Sequence, residues 1–90
     1  MLFKQEQLEI REFLKSLQGK NAIDVVVKSL DYAEIQLEKA IIDIDIYSVN
    51  LINRGGSIRI LFREISFLKA NETEVSIFLK NFTFIKFILI

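Results

Sequence analysis

Two closely spaced acids are the first residues of this sequence whose type and spacing suggest chemistry. Asp43 and Asp45 would point to the same face of an extended chain. Paired carboxylates can hold a divalent cation or act as a general acid and base. Such a site needs further acids or a substrate cleft, and no motif in the sequence supplies them. We therefore predict no metal site at this pair.

Aromatic and basic residues form the second candidate site. Tyr47 follows the two acids, and Phe62-Arg63 lies in a basic segment that also contains Arg59. An aromatic ring beside guanidinium groups can stack a nucleic-acid base and neutralise a phosphate. The alternative is that both rings pack in the core while the arginine side chains extend along the surface.

The composition argues against most enzyme mechanisms. The 90 residues include no histidine and no cysteine. This excludes the usual general base at neutral pH, thiolate nucleophiles, disulfides and zinc sites built on these side chains. The serines likewise have no histidine to activate them. We predict a protein that is not an enzyme, with no catalytic residue and no cofactor.

Charge is balanced overall but uneven along the chain. The 12 basic and 12 acidic side chains cancel, so no global field steers the protein towards nucleic acid or lipid. Residues 31–45 contain five acids against Lys39, whereas residues 54–70 contain four basic side chains against Glu64. These segments can pair within one sheet, meet across a subunit interface, or leave a basic strip open for phosphate.

The elements that must position these residues begin with a helix over residues 1–19. Gly19 is a typical helix stop. Apolar residues recur at helical spacing before it: Ile10, Phe13, Leu14 and Leu17. Consecutive strands then follow, separated by turns at residues 30–32 and 53–57. The predicted strands cover residues 23–28, 33–44, 46–52, 58–63 and 65–68, with a short helix over 33–40 as the alternative for the second.

The C-terminal segment, residues 71–90, carries apolar side chains on both faces and must be buried somewhere. Asn81 can turn a hairpin within it. Left exposed, this segment would have an aggregation-prone composition, so it needs a partner strand or a partner subunit.

These patterns predict a single domain over residues 1–90: a helix, then antiparallel strands over 22–69, then an apolar β segment over 71–90. Residues 1–6 lack the apolar run of a secretory signal. The most apolar stretch, 82–90, is interrupted by Lys86 and is too short to span a bilayer. We therefore expect a cytoplasmic protein without a membrane span.

The order of helix, bent strands and short basic strand resembles the Sm-like family, in particular its bacterial Hfq branch, over roughly residues 9–69. Residues 13–17 look like the end of that branch's N-terminal helix, where a Phe-Leu-Asn run is usual. Residues 45–53 are similar to its Asp-Gln-Phe-Val-Ile-Leu-Leu-Lys-Asn strand. Residues 61–66 look like its Tyr-Lys-His-Ala-Ile-Ser segment, with Glu64 in place of the histidine.

The resemblance implies a small, strongly bent, five-stranded antiparallel barrel (Sm-like, SH3-like) behind the helix, with subunits joined edge to edge into a ring of six or seven. It also implies that Tyr47 stacks an RNA base, Phe62 supports it and Arg63 contacts phosphate or a base edge. With Arg59 on the same basic segment, these residues form the predicted RNA-binding site of a protein that acts on RNA pairing or stability.

A second hypothesis stays open beside the first. The protein is then a homo-oligomeric interaction or assembly module without nucleic-acid binding, in which the apolar segment 71–90 docks a partner strand or groove. The two-faced apolar segment and the zero net charge motivate this reading.

Overall fold

The computed structural model of the chain describes residues 2–29 and 35–90. Within them, helix α1 (Leu2–Lys15) precedes seven strands, and a single turn of 3₁₀ helix, η1 (Phe62–Glu64), lies between the fourth and fifth. The strands are β1 (Asn21–Lys28), β2 (Ile35–Ile44), β3 (Ser48–Asn53), β4 (Gly56–Leu61), β5 (Ile65–Ala70), β6 (Glu74–Leu79) and β7 (Phe84–Leu89). They form one antiparallel sheet in the order β4-β3-β2-β1-β7-β6-β5, curled into a half-barrel.

The helix packs its apolar stripe against the inner face of the curled sheet. Leu14 and Leu17 are buried in the same core as the inward side chains of the strands. After α1 ends at Lys15, the chain passes through turns to Gly19, whose φ of +79° is the left-handed conformation that glycine adopts without strain. The Gly19 N–H then donates to the Ile42 carbonyl over 2.8 Å, which attaches the end of this segment to β2.

The core follows the alternation expected of strands with one buried face. On β6 and β7 the buried positions alternate strictly: Val75, Ile77, Ile85 and Phe87, each at most 2% exposed. One face of the C-terminal segment is therefore buried within its own chain, while Phe78 on the other face is 38% exposed. The segment adds two strands to the sheet, with β7 pairing with β1 and β6 lying between β7 and β5.

A mostly β fold with an N-terminal helix and antiparallel strands is thus confirmed. The sheet has seven strands where the resemblance implies a barrel of five, because the segment 71–90 joins it. The second predicted strand is confirmed over Ile35–Ile44, which rules out the alternative helix for residues 35–40. The predicted turn at 30–32 lies outside the described residues.

The β3–β4 connection forms where it was predicted. Asn53 pairs with Gly56 across a two-residue turn. The Asn53 carboxamide oxygen accepts the Gly55 N–H over 2.8 Å, a local bond that favours chain reversal over strand. This hairpin brings the end of β4 back beside the start of β3.

Two predictions about strand bounds were wrong. Tyr47 lies in the turn before β3, and Phe62-Arg63 lies in η1, whereas both were expected within strands. In the first case the Asp45 carboxylate accepts backbone N–H groups that a strand would need for its ladder. In the second, the chain must leave β4 at one end of the sheet order and enter β5 at the other.

Candidate nucleic-acid interface

The structure brings the four predicted RNA-binding residues together in one groove of about 340 Å³. Because Ser48 pairs with Leu61 across β3 and β4, the residues flanking that pair meet beyond the strand ends. There the Phe62 N–H donates to the Tyr47 carbonyl over 2.9 Å. The groove is lined by Arg11, Tyr47, Arg59, Leu61, Phe62 and Arg63.

Tyr47 is presented by a turn that the Asp45 side chain organises. The Asp45 Oδ1 accepts the N–H of Tyr47 over 2.7 Å and that of Ser48 over 2.8 Å. With its backbone held in this way, Tyr47 keeps 69% of its surface exposed. The ring is therefore available to a ligand, as a base-stacking residue requires.

The same carboxylate is held in its ionised form. The Ser48 hydroxyl donates to Asp45 Oδ2 over 2.8 Å, and this bond, together with the backbone N–H of Tyr47, lowers the pKa of Asp45 below its ordinary value. Asn50 adds a weaker bond from Nδ2 to Oδ2 at 3.4 Å. Asp45 thus serves as a structural anion at neutral pH.

Ser48 also positions the first arginine of the groove. Its hydroxyl, in a residue with no exposed surface, accepts a hydrogen bond from Arg59 Nε over 3.2 Å. The Arg59 Nη2 lies 3.9 Å from Asp45 Oδ2. The Arg59 side chain remains 58% exposed, so part of its guanidinium still faces solvent. The turn therefore orients Arg59 along the groove while leaving hydrogen-bond donors free for a ligand.

Phe62 forms the floor of the groove. It is only 6% exposed and belongs to the hydrophobic core. The Arg11 guanidinium carbon lies 5.1 Å from the centre of its ring, a cation–π distance. Phe62 can therefore support the groove from below, and Tyr47 is the ring that a base can reach from solvent.

Arg11 is the residue that the sequence analysis missed. It lies on α1, far from the other groove residues along the chain, and no local pattern marks it. Only the packing of the helix against the sheet brings its guanidinium over Phe62.

Arg63 is the most exposed cation of the groove. Its side chain is 81% exposed, and its Nε lies 3.7 Å from Glu64 Oε1. Three guanidinium groups thus surround the groove, with the carboxylates of Asp45 and Glu64 beside two of them. The exposed side of the groove combines an aromatic ring with cations.

The two acids of the candidate pair hydrogen-bond to different partners. Asp43 Oδ1 accepts a hydrogen bond from Gln18 Nε2 over 3.0 Å, while Asp45 is occupied by its own turn. Across residues 2–29 and 35–90, no group of three metal-ligating acids comes together. In the same residues, no helix is long and apolar enough to cross a membrane.

Comparison with known proteins gives no match: no protein-family model fits the chain, and no curated protein and no solved structure is significantly similar to it.

Proposed function

We propose that the protein binds single-stranded RNA without catalysing a reaction, acting on RNA pairing or stability, and that the groove is its contact surface. The observation that carries this proposal is the exposed ring of Tyr47 beside Arg59 and Arg63 in one groove. Base–aromatic stacking together with phosphate neutralisation is the usual basis of single-strand recognition.

The positions of the charges support this reading. The two arginines keep 58% and 81% of their side chains exposed although each lies near a carboxylate. An exposed ion pair contributes little stability, and its cation can exchange a carboxylate for a phosphate at small cost. Arginine forms bidentate bonds with phosphate, so an RNA backbone is a ligand of suitable chemistry.

We also propose that the protein assembles into a ring of six or seven subunits, as the Sm-like resemblance implies. Among the described residues, the outer edges of β4 and β5 have no neighbouring strand. An open sheet with two such edges is a template for pairing between copies, and closure into a ring would cover both edges at once. Light scattering on a size-exclusion column measures the mass directly, with absorbance at 260 and 280 nm reporting co-purified nucleic acid.

The RNA-binding proposal is tested with a fluorescein-labelled oligouridine of 12 nucleotides and fluorescence anisotropy. Replacing both Arg59→Glu and Arg63→Glu should weaken binding at least about tenfold, because each substitution turns a phosphate contact into a repulsion. The slope of log K against log salt should become shallower by about 1 for each phosphate contact removed. The mass of the assembly should stay unchanged.

A matched control is the pair Arg54→Glu and Lys69→Glu, which changes net charge by the same amount. Both residues belong to the basic segment 54–70 but lie outside the groove. This variant should bind the oligouridine within about threefold of the unaltered protein. It changes only the long-range attraction between protein and RNA, which salt screens. Equal losses in the two variants, or no loss in either, would contradict the groove as the RNA site.

The second candidate function is a protein-interaction module, and one observation favours it. Phe67, Phe78 and Phe84 form a row across β5, β6 and β7, with ring centres 5.5 and 4.9 Å apart. Phe67 is 55% and Phe78 is 38% exposed, on the face opposite the core. If this row mediates assembly, replacing Phe67→Ser and Phe78→Ser should lower the mass measured by light scattering.

A further inference from the structure

The turn between β6 and β7 holds an aromatic ring out in solvent. Phe82 is 77% exposed and has a φ of +64°. For a bulky side chain this left-handed conformation is strained, whereas glycine or asparagine adopts it readily. The chain thus keeps a large apolar residue at a position where a small one would fit better.

The turn itself does not need that ring. The Leu79 N–H donates to the Thr83 carbonyl over 2.8 Å, and the Phe82 N–H donates to the Leu79 carbonyl over 3.1 Å. The Asn81 carboxamide oxygen accepts the Thr83 N–H over 3.1 Å. These bonds use backbone groups and Asn81, so the Phe82 side chain contributes no hydrogen bond and little buried area. Its strain and its exposure therefore point to a contact outside the monomer.

The turn adjoins the groove. The Lys80 N–H donates to the Glu64 carbonyl over 2.8 Å, which joins the turn to one end of η1. At the other end of η1, the Phe62 N–H donates to the Tyr47 carbonyl over 2.9 Å. Two residues of a 3₁₀ helix rise only about 4 Å. Backbone hydrogen bonds therefore join η1 to the turn at Tyr47 on one end and to the β6–β7 turn that contains Phe82 on the other.

Aromatic rings and cations lie along this line of turns, together with the Glu64 carboxylate that pairs with Arg63 over 3.7 Å. Tyr47 and Phe82 are exposed aromatic residues, at 69% and 77%, and Arg63 and Lys80 are exposed cations between them. Aromatic rings with cations between them match the bases and phosphates of a single strand, and the match does not depend on base sequence.

We propose that Phe82 stacks a base and Lys80 contacts a phosphate of the RNA strand as it leaves the groove past Arg63. This inference rests on the proposed function, since it extends the same RNA path by one turn. It assigns a binding role to the outer end of the C-terminal hairpin, whose inner face is part of the core.

The first test is Phe82→Asn, which removes the ring and suits the left-handed backbone. We expect the melting temperature to rise by roughly 4–8 °C, because strain is relieved. The affinity for the labelled 12-nucleotide oligouridine should fall by roughly 5- to 150-fold, the loss of one stacked base. A residue with a merely structural role would not give higher stability together with weaker binding. Unchanged affinity would overturn the proposal.

A second variant tests the contact directly. The chain has no tryptophan, so Phe82→Trp introduces a single tryptophan, excited selectively over the two tyrosines, while keeping an aromatic ring. Its emission should be quenched by the oligouridine, and the affinity should stay within about threefold of the unaltered protein. The control is Ile41→Trp, at a 54% exposed position on β2, whose emission should not change. Emission of F82W that responds to anionic lipid vesicles and not to oligouridine would show a membrane contact and overturn the RNA assignment.

The two proposals fail in distinguishable ways. If R59E/R63E weakens binding and F82N does not, the groove stands and the extension to Phe82 is wrong. If F82N weakens binding and R59E/R63E does not, the turn contacts RNA and the groove assignment is wrong. An unaltered protein that binds no oligouridine overturns both.

Discussion

The inner face of the β6–β7 hairpin is stabilised by apolar burial, whereas the polar turn at residues 45–48 is stabilised by directional hydrogen bonds. The hairpin buries apolar side chains, an effect that is non-directional and grows with the area removed from water. The turn orients Asp45 and Ser48 through hydrogen bonds of defined length and angle. The hairpin can therefore hold the sheet together with any well-packed apolar set, whereas the turn depends on particular atoms. Substitutions should therefore affect global stability in the hairpin and local geometry in the turn.

The largest effect is expected in the hairpin. Phe87 has no exposed surface, so Phe87→Ala should lower the free energy of unfolding by about 3–5 kcal/mol, measured by urea denaturation. Phe67→Ala is the matched control on β5, and its cost should be about 1 kcal/mol or less because that ring is 55% exposed. If Phe87→Ala leaves too little folded protein to titrate, Phe87→Leu should cost less than about 1.5 kcal/mol. Similar costs at positions 87 and 67 would contradict the placement of the core.

The next effect belongs to the turn. The Ser48 hydroxyl bonds Asp45, Asn50 and Arg59 and is fully buried, so Ser48→Ala should cost about 1–2 kcal/mol in urea denaturation. Ser57→Ala, at an exposed position on β4, should change stability by less than about 0.5 kcal/mol. The RNA affinity separates the two variants. It should fall in S48A, which loses the hydrogen bond that orients Arg59, and stay constant in S57A.

A smaller effect is expected where the helix meets the groove. Arg11 lies over the Phe62 ring at 5.1 Å, so Arg11→Ala should lower stability by about 0.5–1 kcal/mol through the lost cation–π contact. Thermal unfolding with Arg54→Ala as control measures it, since Arg54 is exposed in the β3–β4 turn. Equal melting temperatures for the two variants would mean that the Arg11–Phe62 contact adds nothing to the fold.

The smallest effect is a pH dependence of the turn. The folded-state pKa of Asp45 is lowered mainly by the Ser48 hydroxyl, so ionised Asp45 stabilises the folded state. That contribution is fully present above the ordinary aspartate pKa of about 3.9 and is lost as pH falls through the lower folded-state value. Melting temperatures measured from pH 6 down to acid should therefore fall more steeply for the unaltered protein than for Asp45→Asn. Parallel melting-temperature curves for the two proteins would contradict a stabilising role of the ionised Asp45 carboxylate.

Much of the fold was predictable because it follows from local periodicity. The 3.6-residue spacing before Gly19 marks α1, and the predicted strand over residues 23–28 lies within β1. Asn53 and the two glycines after it mark the β3–β4 turn. Each of these signals depends on neighbours a few residues apart, which a linear pattern contains.

The candidate site was predictable only as a set of residues. Tyr47, Arg59, Phe62 and Arg63 were chosen for their chemistry, and they do line one groove. Their local structure was wrong for Tyr47 and for Phe62-Arg63, because side-chain bonds and a strand crossover replaced regular pairing there. A hydrophobic pattern predicts neither side-chain bonds to the backbone nor the place where a chain crosses between strands.

The amino-acid pattern accounts for which segments are helix and strand, which faces are apolar and which side chains have the chemistry to meet RNA. The tertiary structure alone decides three further points. It places β7 beside β1, which buries one face of the C-terminal segment, it brings Arg11 over Phe62, and it joins the β6–β7 turn to η1 through the Lys80 N–H. An apolar face in the sequence indicates that surface must be buried, but it does not indicate which distant segment will cover that surface. That choice depends on the closure of the whole sheet.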